Sequence, residues 1–248
     1  MTPADAHRPA LQGADNFRDV GRPAGFGPRP GRLYRSGTLQ AITRHDTRVL
    51  AGELGITAVL DLRTAEESTT YGRPVLGPAT RYANVPLHDI HELPHDTGDL
   101  LGRIYREHLR NDPNLPVALD LLAMFLSHGP TIVHCAAGKD RTGMVTALAL
   151  GLAGASRDFI VHDYMLSGPE MPRVVKRLRR LPRYRHNMER LPASIYECRR
   201  SSMLMLLDSI ETEYGSFHGW ARSAGLSHMT VTALRAALMP EPRIAHGE

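Results

Sequence analysis

The sequence predicts an α/β fold: a central, mainly parallel sheet flanked by helices, with a C-terminal helical part packed on it. Two features of the chain order predict this. Strand-like apolar runs alternate with helical stretches up to about residue 166, and from there the pattern is helical, broken at Pro169, Pro172, Pro182, Pro192, Gly215 and Gly225. A parallel sheet with crossover helices, followed by an all-helical lobe, gives that order. A third feature is local: Thr131-Ile132-Val133-His134-Cys135-Ala136-Ala137-Gly138-Lys139-Asp140-Arg141-Thr142-Gly143 compresses a strand, a short loop and a helix N-terminus into thirteen residues.

The elements follow in order. After a polar start, Asn16-Phe17-Arg18-Asp19-Val20 precedes a Gly/Pro-rich loop, and Leu33-Tyr34-Arg35 reads as a short strand. Thr43 suits an N-cap, Val49, Leu50 and Leu54 supply one apolar helix face, and Gly55 ends it. Residues 56–62 form a buried strand with Asp61 and Arg63 at its C-terminal end, where open α/β sheets bind ligands. A strand over 82–87 leads to a polar, irregular stretch. Helices are expected over 100–109 and 117–126, the second with Pro116 in its first turn. The strand 131–134 and the helix 142–152 frame the loop, and a helix over 157–166 follows.

At 248 residues the chain is long enough for a full core, and one domain over 1–248 is expected. Within it, the Pro-broken, strongly charged residues 169–202 are the candidate lid. Hydrophobic content of 42% with 23% charged residues excludes disorder as the default. No secretory leader pattern opens the chain, and no apolar run approaches the roughly 18 residues of a membrane span. Two cysteines make no disulfide framework and suggest a reducing compartment; the cytoplasm is expected, although unconventional secretion leaves no sequence mark. The net charge of +4 favours anionic ligands; neither nucleic acid nor integral membrane association is expected. Much of the excess is local: Arg173, Lys176, Arg177, Arg179, Arg180, Arg183, Arg185 and Arg190 face one acid, Glu189. That block reads as a solvated helix face or as a basic lobe attracting polyanions.

The chemistry lies in the loop. A free cysteine is mostly protonated at neutral pH, so a nucleophilic one needs an electropositive setting. Arg141, the following helix N-terminus and the loop N–H groups supply it. Ala136, Ala137, Gly138, Lys139, Asp140, Arg141 and Thr142 are the expected phosphate-binding residues, with backbone small enough to curl around phosphoryl oxygens. The planar Arg141 fork fits two of those oxygens in a way lysine does not. Cys135 is placed to attack phosphorus, giving a cysteinyl-phosphate that water hydrolyses. Arg141 and the loop N–H groups carry the charge stabilisation, so no metal or cofactor is called for. Asp140 and Asp61 are the two candidate proton donors, Asp140 first because it lies in the loop. Thr142 offers a hydroxyl to the departing thiolate, and His134 tunes it through hydrogen bonds. The partner is a phosphorylated molecule.

At these residues the chain resembles the cysteine-dependent protein tyrosine phosphatases, and more narrowly their bacterial group with a Gly-Lys-Asp-Arg-Thr-Gly loop. Supporting matches are Asn16-Phe17-Arg18-Asp19, Gly31-Arg32-Leu33-Tyr34-Arg35-Ser36, Leu54-Gly55-Ile56-Thr57 with Asp61-Leu62-Arg63, Ile160-Val161-His162-Asp163-Tyr164 and Glu213-Tyr214-Gly215-Ser216. The resemblance implies action on phosphotyrosine, in some relatives also on phosphoserine, phosphothreonine or phosphoinositides, with Lys139 suited to multiply phosphorylated head groups and a helical lid over 169–202. An alternative with the same mechanism is a metabolic phosphatase for a nucleotide, sugar or inositol phosphate; a non-catalytic phospho-ligand binder would not need Cys135. Supporting roles fall to Arg18 and Asp19, which buttress the loop, and to Arg63. Cys198 is either a free structural thiol or a redox partner of Cys135. His88, His91 and His95 have metal-like spacing in a polar loop, where solvated side chains are the expected outcome. Trp220 and Tyr214 are expected in the core.

Overall fold

A computed structural model describes residues 11–21, 27–88 and 99–240. Five strands make one sheet: β1 (Arg18–Asp19), β2 (Leu33–Ser36), β3 (Ala58–Asp61), β4 (Arg81–Asn84) and β5 (Thr131–His134), in the spatial order β1-β2-β5-β3-β4. All neighbours run parallel except the short β1, antiparallel on β2. Side chains alternate across a strand, and this sorts the residues between two cores. Leu33, Ala58, Leu60 and Val133 face the larger core. Tyr34, Val59 and Ile132 face the smaller one, with Phe17, Leu39 and Leu50.

The helices are α1 (Arg44–Thr47), which runs into a wider π-type turn over Arg48–Glu53, α2 (Ala65–Tyr71), α3 (Leu100–Asn111), α4 (Asn114–His128), α5 (Asp140–Ala153), α6 (Arg157–Met165), α7 (Met171–Leu178), α8 (Pro182–Arg190), α9 (Arg200–Tyr214), α10 (Phe217–Ser223) and α11 (His228–Leu238). Thr43 does cap α1, exchanging hydrogen bonds with Asp46 in a capping box, and Gly55 follows the wider turn at φ +61°. The helix α5 is buried from Thr142 to Ala153; its small residues let neighbouring helices close around it. Trp220 is buried and donates its indole N–H to the Leu109 carbonyl at 3.2 Å.

Two elements lie where the pattern predicted none. One is β1. The other is α2, a polar helix (AEESTTY) without an apolar face, nucleated by a second capping box in which Thr64 and Glu67 satisfy each other's backbone N–H groups.

A third apolar cluster stands apart from both cores. Met171, Val174 and Leu178 of α7 and Tyr184 of α8 pack on Ala136 of the loop after β5. The segment expected as a lid forms two short helices flanked by 3-10 turns, Gly168–Glu170 and Ala193–Tyr196, with the helices packed on the loop at the C-terminal end of β5. Among the described residues no helix is long and apolar enough to cross a membrane.

Candidate active site

The register of the sheet brings Ser36, Asp61 and His134 side by side at the C-terminal ends of β2, β3 and β5. Cys135 therefore leaves the sheet at its middle strand, and the chain turns back into α5 five residues later. Gly138 makes the turn at φ +69°, and a Cβ there would meet the Ser36 carbonyl oxygen at 2.3 Å, so only glycine fits.

Four consecutive loop carbonyls are taken from outside the loop or behind it. Ala136 O accepts from the Thr38 N–H at 2.9 Å, Ala137 O from Asn16 Nδ2 at 3.1 Å, Gly138 O from Arg35 at 2.8 Å, and Lys139 O from the Gly143 N–H at 2.9 Å. A trans peptide points its N–H opposite to its C=O, so fixing these carbonyls outward leaves the N–H groups facing inward. That is an anion-binding nest at a helix N-terminus. The Gly138 N–H lies 3.3 Å from Cys135 Sγ, on which it donates.

A buried ionic frame holds the carbonyl partners in place. Asp163 Oδ1 accepts from Arg18 Nε at 3.0 Å and Asp163 Oδ2 from Arg35 at 2.5 Å. Burial alone would raise the Asp163 carboxyl; the two guanidinium groups overcome it and hold its pKa at about 2. Arg18 also donates to Asn16 Oδ1 at 2.5 Å, which orients the amide that reaches Ala137. Asn16 has a left-handed backbone, φ +56°. The expected buttress is thus Arg18 acting with Asn16, Arg35 and Asp163. Asp19 does other work: its carboxylate accepts from the Gly21 and Gly31 N–H groups at 2.8 and 2.6 Å.

Arg141 is gripped by Glu67, with Nη1 to Oε2 at 2.6 Å and Nη2 to Oε1 at 3.1 Å. Glu67 is fully buried; desolvation pushes its carboxyl up, but the Arg141 charge and hydrogen bonds dominate and bring its pKa to about 2. The same carboxylate caps α2 through the Thr64 N–H at 2.7 Å, so the capping box fixes the plane of the arginine fork. Sequence reading missed Glu67, although Thr64-Ala65-Glu66-Glu67 carries the capping-box signal.

Asp61 is not in a donor's position. It is fully buried and does not line the cleft above the loop. Arg63 clasps it at 2.6 to 3.1 Å and Tyr82 donates to it at 2.8 Å. Burial would raise its carboxyl, but His134 and Arg63 bring it to about 2. Burial keeps His134 itself below the usual histidine range, so Arg63 is the partner that stays charged near neutral pH. An ionised, enclosed carboxylate has no proton to give at neutral pH. His134 sits between the two centres, Nδ1 3.3 Å from Cys135 O and Nε2 3.7 Å from Asp61. Arg63 reaches beyond Asp61 to Gln40 and to the Gly72 carbonyl.

Asp140, by contrast, lines the cleft beside Cys135 and Arg141. Thr142 is buried, and its hydroxyl has no hydrogen-bond partner among the described residues. The Lys139 ammonium points away from a phosphate role: it donates to Ile195 O at 2.6 Å and Glu197 O at 2.5 Å, tying the loop to the 3-10 turn after α8. On the other side, α7 is tied through Arg173 and Arg177 to Asp15 at 2.7 and 2.5 Å. The cleft between these ties has apolar walls from Met171, Leu178, Tyr184 and Met188. Cys135 is left 2% exposed at its base.

Neither cysteine is in a disulfide; Cys198 donates to the Tyr164 carbonyl at 3.4 Å, and burial raises its pKa. His88 contacts Asp112 at 3.2 Å, no group of potential metal ligands occurs among the described residues, and His91 and His95 lie outside them.

The model of the tyrosine phosphatase family matches residues 9–240. The chain belongs to that family. It is similar to the triple specificity protein phosphatase PtpB of Mycobacterium tuberculosis, 30% identical over a 272-position alignment covering 92% of this chain and 98% of that one. A tyrosine-protein phosphatase of Nostoc commune is 32% identical over 143 positions, 54% of this chain and 48% of that one. Among solved structures it resembles P. aeruginosa TpbA, with a TM-score of 0.38 at 18% identity over 66% of this chain and 81% of that one. As a member of the tyrosine phosphatase family, the protein is a cysteine-dependent phosphatase.

Proposed function

We propose that the protein is a phosphotyrosine phosphatase working as a single domain, with Cys135 as nucleophile, Arg141 and the loop N–H groups as the phosphate cradle, and Asp140 as proton donor. The observation that carries this reading is the set of four outward-fixed carbonyls, because an anion cradle assembled before substrate arrives costs no reorganisation during reaction. Cys135 Sγ attacks phosphorus in line, the ester P–O bond breaks, and its electron pair leaves on an oxygen that takes the Asp140 proton. Water, deprotonated by the Asp140 carboxylate, then attacks the cysteinyl-phosphate. The S–P bond breaks, the thiolate returns to the Gly138 N–H, and inorganic phosphate leaves.

The apolar part of the wall above the cradle, Met171, Leu178, Tyr184 and Met188, favours an aryl ester. Action on phosphorylated residues beyond tyrosine is supported by the M. tuberculosis relative, a triple specificity protein phosphatase. Lys139 would have to release Ile195 and Glu197 to meet a second phosphate.

Initial rates on phosphotyrosine, phosphoserine and phosphothreonine peptides, phosphoinositides, nucleotides and sugar phosphates, with Cys135→Ser as control, test the reading. Phosphotyrosine peptides should lead the panel and Cys135→Ser should have no turnover. Activity surviving Cys135→Ser would remove the mechanism; a small metabolite preferred over every phosphopeptide would remove the substrate class.

A further inference from the structure

We propose that Tyr105 is a positioning residue for the proton donor, aiming the proton-bearing oxygen of Asp140 into the cleft. This rests on the reading of Asp140 as the donor and adds which oxygen delivers the proton and what holds it there. Tyr105, from the middle of α3, is 1% exposed. Its hydroxyl donates to Asp140 Oδ1 at 2.5 Å and lies 2.9 Å from the Tyr164 hydroxyl. The two rings meet edge to face, 6.2 Å between centroids at 86°, so neither hydroxyl can swing without repacking α3 against α6.

The direction of the chain follows from the proton count. A phenol has one proton. Tyr105 gives its own to Asp140, so the Tyr105–Tyr164 bond must carry the Tyr164 proton, and the order is Tyr164 to Tyr105 to Asp140. Burial, the Asp140 charge and the neighbouring groups hold both phenols well above their ordinary pKa, which keeps them donors throughout the working pH range. Lys139 Nζ lies 3.3 Å from the same Oδ1. An oxygen facing two donors is the acceptor oxygen of the carboxyl, so the acid proton belongs on Oδ2.

The position of Asp140 makes such a hold necessary. As the first residue of α5, its carboxylate would otherwise be drawn back onto the helix's own unpaired N–H groups. Tyr105 draws it forward, and the side chain, 27% exposed, lines the cleft with Cys135 and Arg141.

The test compares the single-turnover rate of phenol release, which precedes hydrolysis of the cysteinyl-phosphate, on two aryl phosphates, one with an acidic dinitrophenol leaving group that departs without a proton and one with plain phenol that needs it, for Asp140→Asn, Tyr105→Phe and the double variant. Asp140→Asn should slow that release from the phenyl ester alone. Tyr105→Phe should show the same selectivity, with a phenyl-ester loss of about tenfold to a hundredfold, below the full general-acid range. KM should be unchanged, and the loss should vanish in the Asp140→Asn background. If Tyr105→Phe fails to fold, Tyr164→Phe breaks the chain one step further out and should give a smaller loss with the same selectivity. Equal losses on the two esters, a change confined to KM, or a Tyr105→Phe effect that persists in full beside Asp140→Asn would overturn the proposal. If Asp140→Asn treats the esters alike, the donor reading itself fails and the positioning role with it. Selectivity in Asp140→Asn without selectivity in Tyr105→Phe removes only the positioning role.

Discussion

The floor and the roof of the cleft are held by different physics. The floor is tied by enclosed charge: Asp163 between Arg18 and Arg35, Glu67 on Arg141, and Asp61 on Arg63. The roof is an apolar patch of α7 and α8 on Ala136, with rim ion pairs such as Arg173–Asp15 and the Lys139 bonds to two carbonyls. Breaking an enclosed pair strands a charge in a poor solvent, whereas lifting an amphipathic helix pair returns its charges to water and exposes a few side chains. The floor should behave as one cooperative unit with the core, and the roof as a separable one.

Asp163→Asn should break the floor most severely. It removes the shared partner of two buried arginines, and a loss of about 3 to 5 kcal/mol is expected in urea unfolding, with inhibition by inorganic phosphate weakened in the folded fraction. Acid should attack the same region. Glu67 has its pKa lowered from 4.5 to about 2, and Asp61 and Asp163 from 3.8 to about 2. A depressed carboxyl pKa contributes stability that is complete above the unfolded value and lost as pH falls through the folded one. The melting temperature should therefore hold down to about pH 4.5 and fall towards pH 2, and Asp163→Asn should flatten that fall.

On the roof, Leu178→Ala removes a fully packed side chain, a change worth about 2 to 5 kcal/mol in a core. Here the cost should appear as local opening: faster alkylation of Cys135, little change in global unfolding. A matching drop in global stability would show that roof and floor are one unit. The smallest effect should come from Arg173→Ala, whose ion pair with Asp15 is half open to solvent. About 0 to 1 kcal/mol and a modest gain in alkylation, vanishing at high salt, are expected.

The strand-loop-helix was legible because each of its parts is local: β-formers, a cysteine, a glycine that turns, an arginine that opens a helix. The short, broken helices of 169–202 were legible from their prolines. What sequence reading did not reach was pairing at a distance. Nothing local says that Asp163 serves Arg18 and Arg35, or that the Tyr82 hydroxyl donates to Asp61. Asp61 looked like a donor because it ends a strand beside the loop; two residues decide otherwise, and only burial shows it. The helix α2 escaped because it has no apolar period, although its capping box was written in the chain. Lys139 was read by its place in the loop, but a long side chain is free to leave its own loop, and its ammonium reaches Ile195 and Glu197.

Asp15 and Asn16 are adjacent in the chain, yet one anchors the roof and the other the floor. Arg173 and Arg177 pull on Asp15 from α7, while Asn16, turned into a left-handed conformation, grips Ala137 in the phosphate loop. The joint between the roof and the floor of the cleft is thus a single peptide bond, far in sequence from the cysteine. A substitution there, such as Asn16→Val, would put a β-branched residue where the backbone opposes it and would register as a defect in phosphate grip, not as a defect of the segment it sits in.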